Sequence, residues 1–303
     1  MLGSNYSTVS EFILIGFSNF PQHLLPTFFL LYLLMYLFTL LGNLLIMGTI
    51  WRERSLHTPM YLFLCNLSIS EILFTVVVTP RMLVDMLSTN RSITFVACAS
   101  QMFFSFTFGY THSFLLTIMG YDRYVAICHP LRYSVLMNTH DCACLVSWCW
   151  AGGSAVGLMV TLIVFHLTFC GSKEIHHFVC HALALLKLAC GKETASVTMG
   201  VILVCVTVLM GACSSLIPST EGRHKTFSTC VSHLTIVVVH YGFASIIYLK
   251  LKGPHSMDNK TLMTTMYTVL TPFLSPIIFS LRNKELKNGI KRNLHRTFCP
   301  LSF

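Results

Sequence analysis

Long apolar runs separated by short polar segments extend along the chain from residue 24 to residue 281. A helix that crosses a membrane needs about 20 mostly apolar residues, and seven windows of the sequence meet that length. They lie at about 24–50, 58–84, 96–121, 142–165, 194–217, 227–249 and 261–281. The pattern predicts an all-α membrane protein, a seven-transmembrane helix bundle with an N-terminal segment (1–23) and a tail (282–303).

The composition also indicates a bilayer environment. Apolar residues make up 54% of the chain and charged residues 10%, whereas about 25% of the residues in a soluble domain are charged. The net charge is +9, but the basic residues are dispersed among short loops and the tail, which argues against nucleic-acid binding. No cleavable signal peptide is predicted before residue 24, so we expect the first apolar run to be the targeting signal. The tail, RNKELKNGIKRNLHR, is predicted to form a short amphipathic helix on the anionic inner leaflet.

The distribution of basic residues predicts that the N-terminus lies outside the membrane. In that orientation the cytoplasmic side carries twelve Lys and Arg residues and the outer side eight. Four of the eight lie in or beside one long loop, and long loops have little weight in the rule that basic residues stay in the cytoplasm. No Lys or Arg precedes Arg52 and Arg54, which follow the first run directly. The acceptor motifs at Asn5, Asn90 and Asn259 also fall outside. We expect glycosylation at Asn5, because the other two lie close to helix ends.

Charged residues interrupt the third apolar run near its inner end, in the sequence MGYDRYVAICHPLRY (119–133). A charge pair at this depth is costly unless it lies at the interface or has a function. With LHTPMYLFLCNLS (56–68), EGRHKTFSTCVSHL (221–234) and PIIFSLRNKELK (276–287), the chain resembles an olfactory receptor of the rhodopsin-like G-protein-coupled family. The resemblance extends in one order from EFILIGF at residue 11 to the tail.

The resemblance implies a receptor without enzymatic activity. Such a receptor binds a small odorant, activates a stimulatory G protein and raises cyclic AMP. The resemblance also implies a location in the plasma membrane, which for this family is that of olfactory cilia. In the family, Arg123 is held by Asp122 at rest and released when the sixth helix moves outward; a plain interfacial ion pair is the alternative. The seventh run has Ser275 and Phe279 where the wider family has Asn and Tyr, so coupling is expected to be weaker. The other residues of this switch are Tyr124 and Pro276, and the proline keeps the helix kink.

Four of the thirteen cysteines are predicted to lie on the outer side: Cys98, Cys170, Cys180 and Cys190. An oxidising compartment favours disulfides, and four cysteines permit three pairings. The family likeness pairs Cys98 with Cys180 and Cys170 with Cys190. The second outer loop would then be a constrained lid over the bundle.

Two helical faces are candidates for the odorant pocket. They consist of Ser105, Phe106, Gly109, Tyr110 and Ser113 on the third run, and of Tyr241, Ala244, Ser245 and Tyr248 on the sixth. In each set the spacing keeps the residues on one face of a helix. Aromatic walls, small residues and a few hydroxyls suit a small, largely neutral ligand. Ordinary packing between helices is the alternative interpretation.

Two places in the sequence are candidates for a bound cation. Glu71 is the one carboxylate deep within a predicted span, and ionisable residues there are functional candidates. The resemblance places it where related receptors bind sodium through an Asp, so Glu71 either holds a cation or is protonated. His176, His177 and His181 cluster in the second outer loop and have metal-ligand chemistry. Exposed loop histidines are usually solvated, so we expect no metal there and no cofactor.

The largest departure from the family pattern lies between Cys190 and Pro218. Olfactory receptors usually have a segment there that is longer by about three helical turns. The window 194–217 contains 24 residues, about 36 Å of helix, which still crosses a hydrocarbon core of about 30 Å. We expect a fifth helix that inserts but lacks part of its cytoplasmic extension, so that signalling is impaired. The alternatives are a non-signalling receptor variant and a transporter or channel, which would show internal repeats or several buried charges.

Overall fold

The computed structural model describes residues 10–16, 22–169, 172–190, 268–279 and 283–298. The predicted spans at 194–217 and 227–249 lie outside these residues. Several predicted site residues also lie outside them, namely Asn5, Asn259, Cys170, Tyr241, Ala244, Ser245 and Tyr248.

Four long helices occupy the first four predicted spans. They are α1 (Leu25–Arg52), α2 (Pro59–Leu87), α3 (Phe95–Cys128) and α5 (Thr139–Phe165). Each contains at least 27 residues, about 40 Å at 1.5 Å per residue, which exceeds the hydrocarbon thickness of about 30 Å. By length and composition, α2, α5 and α1 with the turn before it are apolar enough to cross a membrane. These four helices coincide with the first four apolar runs of the sequence.

Shorter elements connect and follow the long helices. They are the single turns Gln22–Leu24, Arg54–Leu56 and Pro130–Arg132, the helices α4 (Tyr133–Leu136), α6 (Ala182–Leu186), α7 (Thr268–Phe279) and α8 (Lys284–Phe298), and three strands described below. The described part of the seventh predicted span is helical, and α8 follows it.

Local sequence signals explain where the long helices begin. Pro59 occupies the first position of α2, where its missing N–H costs nothing. The Thr94 hydroxyl caps α3 by accepting from the N–H of Ala97 over 3.3 Å. Asn138 caps α5 in the same way, and Asp141 adds a negative charge to the first turn.

Helix α3 packs between α2 and α5. The contact with α5 is close because Gly153 and Gly157 face α3: a Cβ on Gly153 would be 2.7 Å from the carbonyl oxygen of Thr107. Small residues four positions apart allow two membrane helices to approach closely. This packing fixes α3, which carries most of the candidate site residues, against its neighbours.

The predicted amphipathic helix after the last span is confirmed as α8. Leu286 is buried and Ile290 packs against the apolar core, while the polar face remains exposed. Arg292 donates to Glu53 over 2.8 Å, which ties the helix to the end of α1. The burial and the ion pair place α8 beside the charged end of α1.

A small sheet covers the opposite end of the bundle. Strand β1 (Glu11–Leu14) pairs antiparallel with β2 (Ser92–Thr94) and parallel with β3 (Glu174–Ile175). Phe12 and Leu14 point into the core while the alternate residues are exposed, the period-two pattern of a half-buried strand. The pattern of apolar and polar residues did not predict this sheet.

Candidate functional site

The charge pair of α3 lies at the end of the helix that the predicted orientation places in the cytoplasm. Asp122 is fully buried, and the Arg123 side chain is 21% exposed. Arg123 donates to Asp122 Oδ2 from Nη2 over 2.6 Å and from Nε over 2.9 Å. Tyr133, on α4, donates its hydroxyl to the other carboxylate oxygen over 2.8 Å. Both oxygens of the carboxylate are therefore paired, as a buried charge requires.

Sequence reasoning missed the role of Tyr133, although this residue ends the motif that identified the charge pair. Burial raises the pKa of the Tyr133 phenol, and the adjacent Asp122 carboxylate raises it further. The phenol consequently remains a hydrogen donor at physiological pH. Tyr133 lies eleven residues after Asp122 and on a different helix, so only the turn between α3 and α4 brings the two together.

The remaining predicted switch residues lie in or near one apolar cluster. Phe279 is buried in a cluster with residues of α2 and α3, and Tyr124 packs against it. Ser275 is 1% exposed. Pro276 lies where α7 approaches α1: a Cβ on Gly42 would be 3.0 Å from the Cβ of Pro276. The structure brings Phe279 and Tyr124 to the same cluster, and the part of all four residues in switching stays a prediction.

The predicted ligand face of α3 is partly buried. Phe106 and Tyr110 stack with their ring centroids 6.1 Å apart. Ser105 and Ser113 each donate to the carbonyl one turn earlier in α3, over 2.6 and 3.0 Å, which leaves both oxygens able to accept from a ligand. Gly109 lines a cavity that also contacts α2 and α7. The second predicted face, on the sixth run, lies outside the described residues, so the complete pocket stays a prediction.

The cavity beside Gly109 contains two buried ionisable groups. Glu71 and His112 are 3% and 5% exposed, and His112 Nε2 lies 3.0 Å from Glu71 Oε1. Thr271 of α7 is 6% exposed, and its hydroxyl has no hydrogen-bond partner within the described ranges. The cavity is lined by Ser70, Glu71, Phe74, Phe108, Gly109, His112, Thr271 and Pro272. Sequence reasoning selected Glu71 but missed His112, because the two are 41 residues apart on different helices.

A disulfide attaches the second outer loop to the bundle. Cys98, near the start of α3, is bonded to Cys180, the pairing that the family likeness implied. The N–H of Cys180 also donates to the side-chain oxygen of Gln101 over 3.1 Å. Cys190 is disulfide-bonded as well, and Cys170, its predicted partner, lies outside the described residues. The loop is therefore held against α3 by a covalent bond and a buried hydrogen bond.

The histidines of this loop have different environments. His176 is exposed, whereas the rings of His177 and His181 stack with their centroids 5.3 Å apart. Burial lowers the pKa of His177 well below its ordinary value and that of His181 to about 4. Both rings are therefore neutral at physiological pH. Throughout the part of the chain that the structure describes, no three His, Cys, Asp or Glu side chains are grouped to hold a metal.

The chain is similar to known sensory receptors over its whole length. A model of the olfactory receptor family matches residues 32–297. Olfactory receptors 10H3 and 10H4 of Homo sapiens are each 71% identical over 315 positions, which cover 100% of this chain and of each relative. Olfactory receptor 10H28 of Mus musculus is 69% identical with the same coverage.

Among solved structures, the crystal structure of squid rhodopsin has a similar fold. The TM-score is 0.68, the sequence identity is 15%, and the match covers 93% of this chain and 89% of that chain. At this identity the likeness establishes the fold alone. It confirms the seven-transmembrane helix bundle predicted from the apolar runs.

Proposed function

The chain belongs to the olfactory receptor family, and from that premise we propose that it activates a stimulatory G protein and thereby raises cyclic AMP. The family establishes an odorant-sensing G-protein-coupled receptor, a multi-pass membrane protein that is not an enzyme. The G-protein subtype, the ligand class and the signalling capacity of this chain belong to the proposal.

The arrangement around Asp122 supports coupling to a G protein. Arg123 is held by a buried carboxylate that Tyr133 also engages. Release of Arg123 exposes a cation at the end of α3 predicted to be cytoplasmic, where a partner protein would bind. The observation that carries the proposal is this closed network, because a ligand that favours an open arrangement of Arg123 over this closed one would shift the population towards it.

The predicted face of α3 supports a small neutral odorant as the ligand. Its aromatic pair, Phe106 and Tyr110, supplies apolar surface, and the hydroxyl oxygens of Ser105 and Ser113 can accept one hydrogen bond each. Glu71, which lines the same cavity as Gly109 of this face, lies within hydrogen-bonding distance of His112. It is therefore a poor counter-ion for a ligand amine.

We also propose that the short segment before Pro218 impairs signalling. The alignments with the human relatives contain 315 positions while this chain has 303 residues, so 315 − 303 = 12 positions have no residue in this chain. Twelve residues correspond to about three helical turns, the length by which the fifth helix was predicted to be short. That part of the helix would form one wall of the G-protein cavity.

A cyclic AMP assay tests both parts of the proposal. Cells expressing the natural chain, and cells expressing a version in which the twelve residues are restored, are exposed to a panel of small neutral odorants. We expect a response from the restored version and a weaker one from the natural chain at equal surface expression. Equal responses would eliminate the short segment as a defect, and a response only to amines would contradict the ligand class.

We propose the plasma membrane, and in its native tissue the olfactory cilium, as the location of the chain. With the N-terminus outside, an N-terminal tag is stained in intact cells, and glycosidase increases the gel mobility of the wild type but not of Asn5→Gln. A tag that is stained only after permeabilisation would contradict the proposed location or orientation. It would also identify a retained, non-signalling variant.

A further inference from the structure

The buried pair formed by Glu71 and His112 occupies the position at which the family likeness implies a sodium ion. The two side chains come from α2 and α3, and the 3.0 Å between Nε2 and Oε1 is a hydrogen-bonding distance. Both residues are at least nine-tenths buried. A carboxylate in such a place must be paired with a cation or carry a proton.

The residues around Glu71 do not fit a sodium ion. Hard cations are held by several oxygen atoms, and a ring nitrogen is not among their preferred ligands. Glu71 Oε1 is already engaged by the imidazole. Besides Glu71, the only side-chain oxygen atoms in the described lining are the hydroxyls of Ser70 and Thr271, so few oxygen ligands face a position where a hard cation needs several.

We infer that His112 takes the place of the cation, so that this receptor has an internal, uncharged pair where a sodium ion would otherwise bind. One proton shared between the two side chains gives either carboxylate with imidazolium or carboxylic acid with imidazole. Both arrangements carry no net charge, which removes the electrostatic need for an ion. The pair also joins α2 to α3 at the depth of the cavity.

Water in the cavity would extend the pair to the seventh helix. The cavity offers about 30 Å³ to the centres of water molecules, and one buried water needs roughly 10–15 Å³ on this measure, so about two fit. Thr271 lines the cavity with a buried hydroxyl that lacks a protein partner within the described ranges. A water that bridges Thr271 to the pair would connect three helices, as an ion at this site would.

Thermal unfolding in sodium and in choline chloride tests the inference. The purified full chain is unfolded at constant ionic strength while a thiol-reactive dye reports exposure of the buried free cysteines, such as Cys142 and Cys149. For the wild type we expect equal melting temperatures in the two salts. His112→Ala leaves Glu71 with space for an ion, and we expect sodium to raise its melting temperature saturably, by about 3 °C.

Three further variants complete the experiment. His112→Glu places a second carboxylate beside Glu71 and serves if the alanine variant does not fold; its stability should also rise with sodium. Glu71→Gln combined with His112→Ala should lose the sodium effect. Thr111→Ala, which removes a buried hydroxyl from another face of α3, should respond to sodium no more than the wild type does.

Two outcomes would overturn the inference. The first is saturable stabilisation of the wild type by sodium that disappears in Glu71→Gln, because His112 would then share the site with an ion. The second is the absence of any sodium effect in His112→Ala and His112→Glu, because Glu71 would then be an ordinary protonated acid. Both readouts are independent of odorant and G protein, so they do not depend on the proposed signalling.

Discussion

Replacing Gly153 with Ala is predicted to destabilise the protein by forcing α3 and α5 apart. A Cβ at this position would be 2.7 Å from the Thr107 carbonyl oxygen and 2.9 Å from the Thr111 backbone nitrogen. Ordinary contact begins at about 3.4 Å, so the backbones must separate by about 3.4 − 2.7 = 0.7 Å. Backbone atoms cannot rotate away as a side chain can, and overpacking of this kind costs about 1–3 kcal/mol.

Two other glycines provide matched controls for this substitution. At Gly48 of α1 no atom lies within 4 Å of the added Cβ, so Gly48→Ala should be neutral or stabilising by up to about 1 kcal/mol. At Gly152 the nearest atom is the edge of the Phe114 ring at 3.2 Å, and this side chain can shift. The expected order of stability is therefore Gly48→Ala, then Gly152→Ala, then Gly153→Ala.

The assay is thermal unfolding of the three purified variants under one set of conditions. A difference of about 1–3 kcal/mol between the Gly48 and Gly153 variants corresponds to several degrees, since about 2–4 °C accompany each kcal/mol in a large domain. A melting temperature of Gly153→Ala equal to or above that of Gly48→Ala would refute the close packing of α3 against α5.

Three further predictions concern the switch, the lid and the loop histidines. Tyr133→Phe leaves one oxygen of the buried Asp122 carboxylate without its donor, which destabilises the resting arrangement by about 1.5–3 kcal/mol. Basal cyclic AMP per surface receptor should therefore rise, and an unchanged basal level would contradict the role of Tyr133. Cys98→Ser removes the disulfide that closes a loop across 82 residues, so it should lower stability by about 4 kcal/mol and abolish surface expression. The control Cys65→Ala, at a free cysteine, should leave expression intact. Because the pKa values of His177 and His181 are lowered, the unfolded chain binds more protons below pH 6.5. Stability should therefore fall from pH 7 to pH 5 by about 2 kcal/mol for one such histidine. A melting temperature that does not change over this range would contradict the neutral state of the two rings.

The long helices could be predicted because their signal is local and extended. An apolar run of 20 or more residues has one stable form in a bilayer, and caps such as Thr94 and Asn138 mark where the helices begin. The sheet could not be predicted in the same way. Its central strand, Glu11–Leu14, has only four residues, and its partners lie about 80 and 160 positions away along the chain. Alternation over four residues is too short a signal.

The contacts between helices are the second part that the sequence does not specify. Helices that are apolar on most sides give no hydrophobic stripe to show which face meets which neighbour. For that reason Glu71 could be selected as a buried carboxylate, whereas its partner His112 could not be identified. Periodicity also cannot show which cysteines are paired. For the disulfide between Cys98 and Cys180, the resemblance to a family predicted the pairing.

The central claim is that a bound odorant activates a G protein through Arg123. Its most direct test is nucleotide exchange on purified stimulatory G protein, measured in membranes containing the chain with its restored segment and an odorant found in the panel. We predict exchange that requires the odorant, is weaker with the natural chain and is lost in Arg123→Ala. Exchange that does not depend on the odorant, or that persists at full rate in Arg123→Ala, would contradict the claim.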